Sequence, residues 1–192
     1  MNTAIRAKAL LFDPALEWQR IEQEGADPAF ILSHYVAILA LIPALFSFVG
    51  ASVIGVADSG GATQHASIFN GLFGAIFGYV MSCASVLLLT LIVDLVAPLF
   101  SGERSFDNAF RLAVYSFTPV WLAGIFLILP GLHFLALTAC YGAYILWLGV
   151  PRMMKAPTRR ALNFAAVIAI CAFVVNYATA VAQQLVFGTP GL

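Results

Sequence analysis

Residues 150–161 read VPRMMKAPTRRA, a short basic stretch that joins two apolar segments. It holds four of the nine Lys and Arg residues of the 192-residue chain, namely Arg152, Lys155, Arg159 and Arg160. Basic clusters of this length occur at nucleic-acid contacts, at protein-docking surfaces and beside membrane-spanning helices. The composition of the whole chain decides among these three interpretations.

The chain is too poor in charge to cover a water-soluble surface. Hydrophobic residues make up 62% of it and charged residues 9%, whereas soluble domains average about 25% charged residues. Asp58 is the one formal charge between residues 28 and 93, and no formal charge occurs from 112 to 151 or after 160. The net charge is zero, which argues against nucleic-acid binding because that function requires an excess of positive charge.

Five apolar segments are each long enough to cross the roughly 30 Å hydrocarbon core of a membrane. They lie at about 29–56, 68–100, 109–129, 131–150 and 161–187. We therefore predict an all-α, polytopic membrane protein with five transmembrane helices. A cytoplasmic N-terminal arm with a short amphipathic helix occupies residues 1–28, and the five-helix transmembrane domain occupies 29–192.

The positions of the nine cations predict how these spans are oriented. They fall in the N-terminal arm, between the second and third spans, and between the fourth and fifth spans, while the other three connecting or terminal segments have none. With five spans, all cations lie on one side, which the positive-inside rule assigns to the cytoplasm. The N-terminus is then cytoplasmic and the C-terminus outside. The basic stretch at 150–161 mainly sets this topology, and contact of its four cations with anionic lipid headgroups is the second interpretation.

The N-terminal arm contains the signals of one short helix. Asp13 is placed to cap it, Pro14 suits its first turn and Gly25 suits its end. Trp18 lies on its apolar face. Because tryptophan is enriched at membrane interfaces, we expect Trp18 to anchor this helix in the headgroup layer. Packing of the helix against the cytoplasmic loops is the alternative.

Asp94 is the one carboxylate inside a predicted span, where a charged side chain costs about 2.5 to 3.5 kcal/mol at mid-depth. Arg104 and Arg111 lie near the start of the third span, and we expect Arg111 to pair with Asp94. The alternative is a transport role for kinked helices. The polar path would then be lined by Asp94, Thr118, Pro119 and Asn176.

Small residues and prolines indicate where the spans pack and bend. Gly74, Gly78 and Ser82 recur at intervals of four, which predicts close helix packing within the bundle or between copies of the chain. The prolines at 43, 98 and 119 each interrupt a span and predict a kink.

No pattern in the sequence indicates a cofactor or an enzyme active site. His34, His65 and His133 are too far apart for a metal site of the usual spacing, and the three cysteines lie in apolar segments. There is no nucleophile elbow, phosphate-binding glycine loop or HExxH helix. We therefore predict no cofactor, no metal and no catalytic residue.

Three stretches carry a further signal: LLFDPALEWQRIEQEGADP at 10–28, FDNAFRLAVYSFTPVW at 106–121 and GVPRMMKAP at 149–157. Together they resemble the Yip domain family, named for Ypt-interacting proteins, in its bacterial branch. The resemblance covers nearly the whole chain and implies an integral protein of a bacterial inner membrane. Eukaryotic relatives are five-span proteins implicated in recruiting prenylated Rab-type GTPases and in shaping vesicle membranes. The resemblance therefore implies a membrane-organising or adaptor role without enzyme activity.

The first hypothesis is thus a membrane protein that acts by binding through its cytoplasmic face. The expected partners are membrane lipids, a protein on that face, and further copies of the chain through Gly74, Gly78 and Ser82, but no nucleic acid. A small transporter or lipid-translocating channel that uses Asp94 is the alternative. A membrane-embedded lipid enzyme is the third hypothesis.

Overall fold

The computed structural model describes residues 2–25, 27–57, 63–128 and 140–187. In these ranges the ordered elements are helices, apart from an antiparallel pairing of Val56–Ala57 (β1) with Thr63–Gln64 (β2). The helices are, in order, α1 (Thr3–Phe12), α2 (Pro14–Gln23), α3 (Pro28–Ile54), α4 (Ile68–Phe100), α5 (Phe106–Ile128), α6 (Tyr141–Met153) and α7 (Thr158–Phe187).

Four of these helices, α3, α4, α5 and α7, are long and apolar enough to cross a membrane. They confirm the all-helical class and correspond to the first, second, third and fifth predicted spans. The fourth predicted span, 131–150, begins at residues outside the described part of the chain, and α6 covers its second half. A total of five spans therefore stays a prediction.

The first five helices each begin at a side chain that accepts hydrogen bonds from free backbone N–H groups of the first turn. These capping residues are Asn2, Asp13, Asp27, Ser67 and Ser105. The helix predicted from Asp13 and Pro14 is confirmed as α2. It ends at Gln23, two residues before Gly25.

Prolines interrupt three spans, because a proline has no N–H to donate and its ring crowds the preceding turn. In α3 the helix breaks at Ala40, shortly before Pro43. In α4 the α-helix gives way to a final 3-10 turn that contains Pro98. In α5 the break falls at Phe117, two residues before Pro119. These breaks confirm the interruptions predicted from the sequence.

The most buried span, α5, lies at the centre of the bundle. It contacts α3, α4 and α6, and its Leu112, Val114 and Tyr115 side chains are almost completely buried. Helix α7 packs along α4 and α6. At the start of α7 the ring of Phe164 stacks on Phe100, with centroids 5.1 Å apart. Four long apolar helices are thereby joined in one core.

Large apolar side chains also cover the outer surface of the bundle. Leu91 and Leu95 of α4, and Ile170, Phe173 and Val174 of α7, are each at least 48% exposed. Soluble proteins rarely expose continuous apolar patches larger than a few hundred Å². These outer faces are where the acyl chains of a membrane would contact the protein.

Gly124 of α5 allows α3 and α5 to touch at Pro43, since a Cβ at Gly124 would lie 2.6 Å from the Cβ of Pro43. We expect Gly124→Ala to push the two helices apart and to lower the free energy of unfolding by about 1–3 kcal/mol. The thermal unfolding midpoint in detergent micelles measures this loss. At Gly25 a Cβ would meet nothing within 4 Å, so Gly25→Ala is the control and should unfold near the wild-type temperature. An unchanged midpoint for Gly124→Ala would contradict this contact.

Candidate functional site

The N-terminal arm folds into a hairpin of two helices, α1 and α2, which lies along the side of α6. Near one end of α6, Arg152 lies 3.5 Å from the Glu22 carboxylate. At the other end, the Tyr141 hydroxyl donates to the Leu11 carbonyl at 3.0 Å. The two contacts are about 16 Å apart along α6. The hairpin therefore runs along the bundle and does not lie across its end.

Trp18 is buried inside the protein, which corrects the prediction of an interfacial anchor. Its side chain is 0% exposed, and its indole N–H donates to the Ile145 carbonyl at 2.9 Å. Gly149 makes room for the indole, since a Cβ there would lie 2.6 Å from the Trp18 ring. An anchor must reach the headgroup layer, whereas this ring is enclosed by the protein. The arm packs on the protein, as the alternative proposed, but its contact is with helix α6.

A buried ion-pair cluster holds α1 to α2. Arg6 is 6% exposed and Glu17 is 4% exposed, and Arg6 Nη1 donates to Glu17 Oε1 at 2.6 Å. Arg6 also pairs with Glu24, and Arg20 lies 3.2 Å from the second oxygen of Glu17. The Arg6 guanidinium is 5.8 Å from the centroid of the Tyr115 ring. Each buried charge has an opposite partner, which offsets much of the cost of removing it from water.

A neutral hydrogen-bond chain continues from Tyr115 into the bundle. Thr118 Oγ1 donates to the Tyr115 carbonyl at 2.8 Å, so the Tyr35 hydroxyl is the donor in its own 2.8 Å contact with Thr118 Oγ1. The Tyr35 and Tyr115 rings meet edge to face, with centroids 5.1 Å apart. This chain links α3 and α5 directly behind the ion-pair cluster.

Sequence reasoning did not identify the cluster of Arg6, Glu17 and Glu24. In the sequence, Arg6 is one of several cations of the arm, and Glu17 is spaced from Arg20 like a solvated pair on a helix surface. The one usable signal is that Glu17 lies on the same side of α2 as Trp18 and Ile21, which are apolar enough to be buried. A carboxylate that is buried beside these apolar side chains needs a buried cation as its partner.

The segments that follow α4 and α6 are joined at the same end of the bundle. The Glu103 N–H donates to the Met154 carbonyl at 2.8 Å, and Lys155 Nζ lies 2.9 Å from the Glu103 carboxylate. Arg160 donates to the Ser101 hydroxyl at 2.8 Å. The hydrogen bond to Glu103 raises the pKa of Lys155 above its ordinary value. Lys155 therefore stays charged through neutral pH and loses its proton only as the pH rises far into the alkaline range.

We call the surface formed by α2, residues 101–105 and residues 152–160 the charged face. Three of the four cations of the basic stretch contact a side chain of the same chain, and the fourth, Arg159, is exposed. These cations therefore hold three segments of the protein together. Their contact with lipid headgroups stays a prediction.

Comparison with known proteins gives a family for this architecture. A family model described as the Yip1 domain matches residues 8–178, from α1 into α7. The chain belongs to the Yip1 domain family. The inner membrane protein YohC of Escherichia coli strain K12 is 27% identical over 159 residues, which is 81% of this chain and 82% of that protein. YohC of Escherichia coli O6:H1 strain CFT073 matches to the same extent. No solved structure matches.

The resemblance to the bacterial branch of the Yip family is thereby confirmed. Family membership, the inner-membrane relative and the four apolar helices together identify a multi-pass inner membrane protein. The part that matches the Yip1 domain includes Glu17, Trp18 and Tyr115 but begins after Arg6. The surface on which α2 docks is thus part of the Yip1 domain, whereas Arg6, the buried cation that pairs with Glu17, precedes the matched region.

Asp94 pairs with Arg104 and not with Arg111, which corrects the predicted pairing. Arg104 Nη2 and Nε donate to Asp94 Oδ2 at 2.9 and 3.2 Å. Ser101 adopts a left-handed conformation, with φ of 60°, at the end of α4 and turns the chain back so that Arg104 reaches the carboxylate. Arg111 lies further along α5 and donates instead to the Glu24 carbonyl of the hairpin at 2.8 Å.

The four residues predicted to line the polar path of a transporter have different surroundings in the described part of the chain, and the path stays a prediction. Asp94 lies beside the charged face, Thr118 is bonded to Tyr35, and Pro119 occupies the first turn after the break in α5. Asn176 lies on α7, next to two cavities. No hydrogen bond or ion pair among the described residues joins any two members of this set.

The small-residue stripe of α4 packs against its own chain. Gln183 of α7 donates to the Gly74 carbonyl at 3.0 Å, and its amide oxygen would be 3.4 Å from a Cβ at Gly78. Ser82 accepts a hydrogen bond from the Trp121 indole at 2.9 Å. Close packing within the bundle is confirmed, and association of copies through this stripe stays a prediction.

Removal of Arg6 should destabilise the protein more than removal of Arg104. Arg6→Met leaves the buried Glu17 carboxylate with Arg20, whose side chain is 58% exposed, as its neighbouring cation, so we expect a loss of about 3 kcal/mol in the free energy of unfolding, at the low end for a broken buried pair. Arg104 is 57% exposed but Asp94 is 14% exposed, so this pair is partly open to water and Arg104→Met should cost less, about 1–2 kcal/mol. Thermal unfolding midpoints in micelles compare the two variants.

The double variant Arg6→Met with Glu17→Leu separates the charge effect from lost packing. It should recover most of the stability lost in Arg6→Met, because no buried charge then lacks a partner. Equal midpoints for Arg6→Met and Arg104→Met would show that the ion pair at Glu17 is not buried in the folded protein.

Proposed function

We propose that this Yip1 family member is a non-enzymatic, membrane-organising protein that acts by binding, through its charged face and its N-terminal hairpin. The observation that carries the proposal is the docking of the hairpin along α6. Trp18 and the Arg6–Glu17 ion pair fix two additional helices to the side of the bundle. A surface that is already assembled can receive a partner without first paying the entropy of ordering it.

The hairpin broadens the bundle at one end. Thr3 at the start of α1 donates to the His34 carbonyl of α3 at 2.7 Å, and Trp18 of α2 bonds to α6. The hairpin therefore extends the bundle sideways between α3 and α6. A protein that displaces more lipid in one leaflet than in the other favours a curved membrane, as helices inserted in one leaflet do.

The exposed apolar side chains at the tip of the hairpin are a reason to place the tip among the lipid chains. Phe12 is 80% exposed and Leu16 is 42% exposed, at the end of the hairpin that contacts Tyr141. Exposed apolar side chains about 16 Å along α6 from Arg152 suit the acyl region beneath a headgroup layer. Lys8 is exposed on α1 and has a stem long enough to bring its ammonium back to the headgroups.

The charged face supports a cytoplasmic assignment for this end, with the N-terminus inside and the C-terminus outside. It gathers the cations of three separate segments, which the positive-inside rule places in the cytoplasm. Membrane lipids are the partner that this arrangement favours. A protein partner on the charged face, or a second copy of the chain, is the next candidate.

Cysteine labelling in intact cells tests the orientation. In a background lacking Cys83, Cys140 and Cys171, we expect His65→Cys to react with a membrane-impermeant maleimide. Thr158→Cys should react only after the cells are opened, because it lies on the charged face. The reverse pattern of reactivity would place the charged face outside and contradict the assignment.

Vesicle reconstitution tests the membrane-organising role. We expect the wild-type protein to reduce the median diameter of vesicles in electron micrographs, relative to protein-free vesicles. Phe12→Asp with Leu16→Asp should abolish most of this effect, since a charge at depth costs about 2.5 to 3.5 kcal/mol per residue. Both side chains are exposed, so folding should be unaffected.

The control for that experiment is Gln19→Asp, which adds a charge at an exposed position of α2 away from the tip. It should shape vesicles as the wild type does. If the tip variant shapes vesicles as well as the control, the hairpin does not act through the membrane and the proposed role fails.

A further inference from the structure

Two neighbouring cavities lie between the spans, and Val120 and Asn176 line both of them. The larger one, about 360 Å³, has polar side chains from α3, α4 and α7 in its wall and is called here the polar lobe. The smaller one, about 260 Å³, is almost wholly apolar and is called the apolar lobe. Ligand pockets in proteins commonly measure about 300–1,000 Å³, so the two lobes together are large enough for a ligand.

The polar side chains in the wall of the polar lobe are all uncharged. They belong to Ser47, Ser82, Ser85, Asn176, Thr179 and Gln183. Asn176 lies near the middle of α7, far from the cations of the charged face. An ionised group placed here would have no opposite charge in the described wall, which is costly in an apolar medium. The lobe therefore selects against charged ligands.

Two hydroxyl groups of this wall donate their hydrogens to their own helices. Ser47 Oγ donates to the Ala44 carbonyl at 3.0 Å, and Thr179 Oγ1 donates to the Val175 carbonyl at 2.9 Å. A hydroxyl oxygen that has donated its hydrogen can still accept. Both residues therefore offer acceptors to the lobe.

The amide groups are oriented in the same way. Asn176 Nδ2 donates to the Ala172 carbonyl at 2.7 Å, and Gln183 Nε2 donates to the Gly74 carbonyl at 3.0 Å. Because a carbonyl can only accept, these bonds assign the nitrogens and leave Asn176 Oδ1 and Gln183 Oε1 as acceptors. Each NH₂ group keeps a second N–H, but the two amide oxygens favour a ligand that brings a hydrogen-bond donor.

The apolar lobe contains one polar atom that lacks a partner. Ser116 is 5% exposed, and its Oγ makes no hydrogen bond within the described structure. Its neighbours in the wall include Leu89, Leu146 and Phe173. Phe173 is 70% exposed on the outer face of α7, so the lobe borders the surface that lipid chains contact. A lipid chain could enter there, with an ester oxygen accepting from Ser116.

We propose that the two lobes form one binding site for an uncharged lipid alcohol, a glycerolipid with a free hydroxyl and no phosphate, as in diacylglycerol. Its hydroxyl donates to Asn176 Oδ1 or Gln183 Oε1 in the polar lobe, and an acyl chain occupies the apolar lobe. A phospholipid is disfavoured because its phosphate would bring a negative charge to a wall whose described lining holds no cation.

Photocrosslinking of the purified full chain tests the site. The probe is diacylglycerol with a diazirine in one acyl chain, in phosphatidylcholine vesicles. We expect Asn176→Leu to lower the crosslinking yield about two- to tenfold, the range for one hydrogen bond. Asn163→Leu removes the same side chain from an exposed position of α7 and should crosslink as the wild type does.

A second pair of variants covers the case in which Asn176→Leu does not fold. Gln183→Leu should lower the yield, while Gln184→Leu, at the exposed neighbouring position, should not. Gel filtration and the thermal midpoint confirm that each variant folds. Thr179→Val is a further variant, which removes a hydroxyl acceptor from the polar lobe with almost no change in side-chain volume. Crosslinked peptides should come from α5 and α7.

Three results would overturn the proposal. The first is a wild-type yield in folded Asn176→Leu and Gln183→Leu. The second is equal capture of a probe whose hydroxyl has been acetylated, or stronger capture of a phosphatidic acid probe with the same acyl chains. The third is crosslinking spread over the outer faces of the bundle, which would indicate contact with bulk lipid only.

Discussion

The position of the N-terminal hairpin depends on one buried ion pair, Arg6 with Glu17. Both residues are at most 6% exposed, and charges so far from water remain ionised only when each faces an opposite charge. Separation of α1 from α2 would take Arg6 away from Glu17 and leave that buried carboxylate with the exposed Arg20 of its own helix. The pair holds α1 against α2, and α2 in turn contacts α6 through Trp18 on Gly149 and Glu22 beside Arg152.

Much of the membrane architecture could be predicted because lipid constrains sequence so strongly. A span must satisfy its backbone internally and present apolar side chains outward, so α4 appears in the sequence as the apolar run 68–100, with the bounds that the structure shows. Helix α2 could be predicted from Asp13 and Pro14, whose chemistry is local. Residues 129–139 lie outside the described structure, so the fourth predicted span is tested only in α6.

Long-range partners could not be predicted in the same way. An apolar helix face with one tryptophan is typical both of an interfacial helix and of a helix packed on protein. The acceptor of the Trp18 indole lies 127 residues further along the chain, so local sequence does not indicate it. Arg104 and Arg111 are both close enough in sequence to reach Asp94. The left-handed turn at Ser101 decides between them, and a serine gives no sequence signal for such a turn. Asn176 was predictable as a polar residue in a span, but not as the shared wall of two cavities.

The donor and acceptor of the Trp18 hydrogen bond are far apart in the sequence, and this separation also determines the order in which the protein assembles. Protein chains are synthesised from the N-terminus, so α1 and α2 exist before α3, α4 and α5, and well before α6. Until Ile145 and Gly149 have been made, the indole of Trp18 has no carbonyl to bind and no groove to enter. The hairpin must therefore wait beside the membrane while the first spans insert. The segment made first is among the last to reach its final position, and closure of the Trp18 ring over Gly149 is a late step of folding.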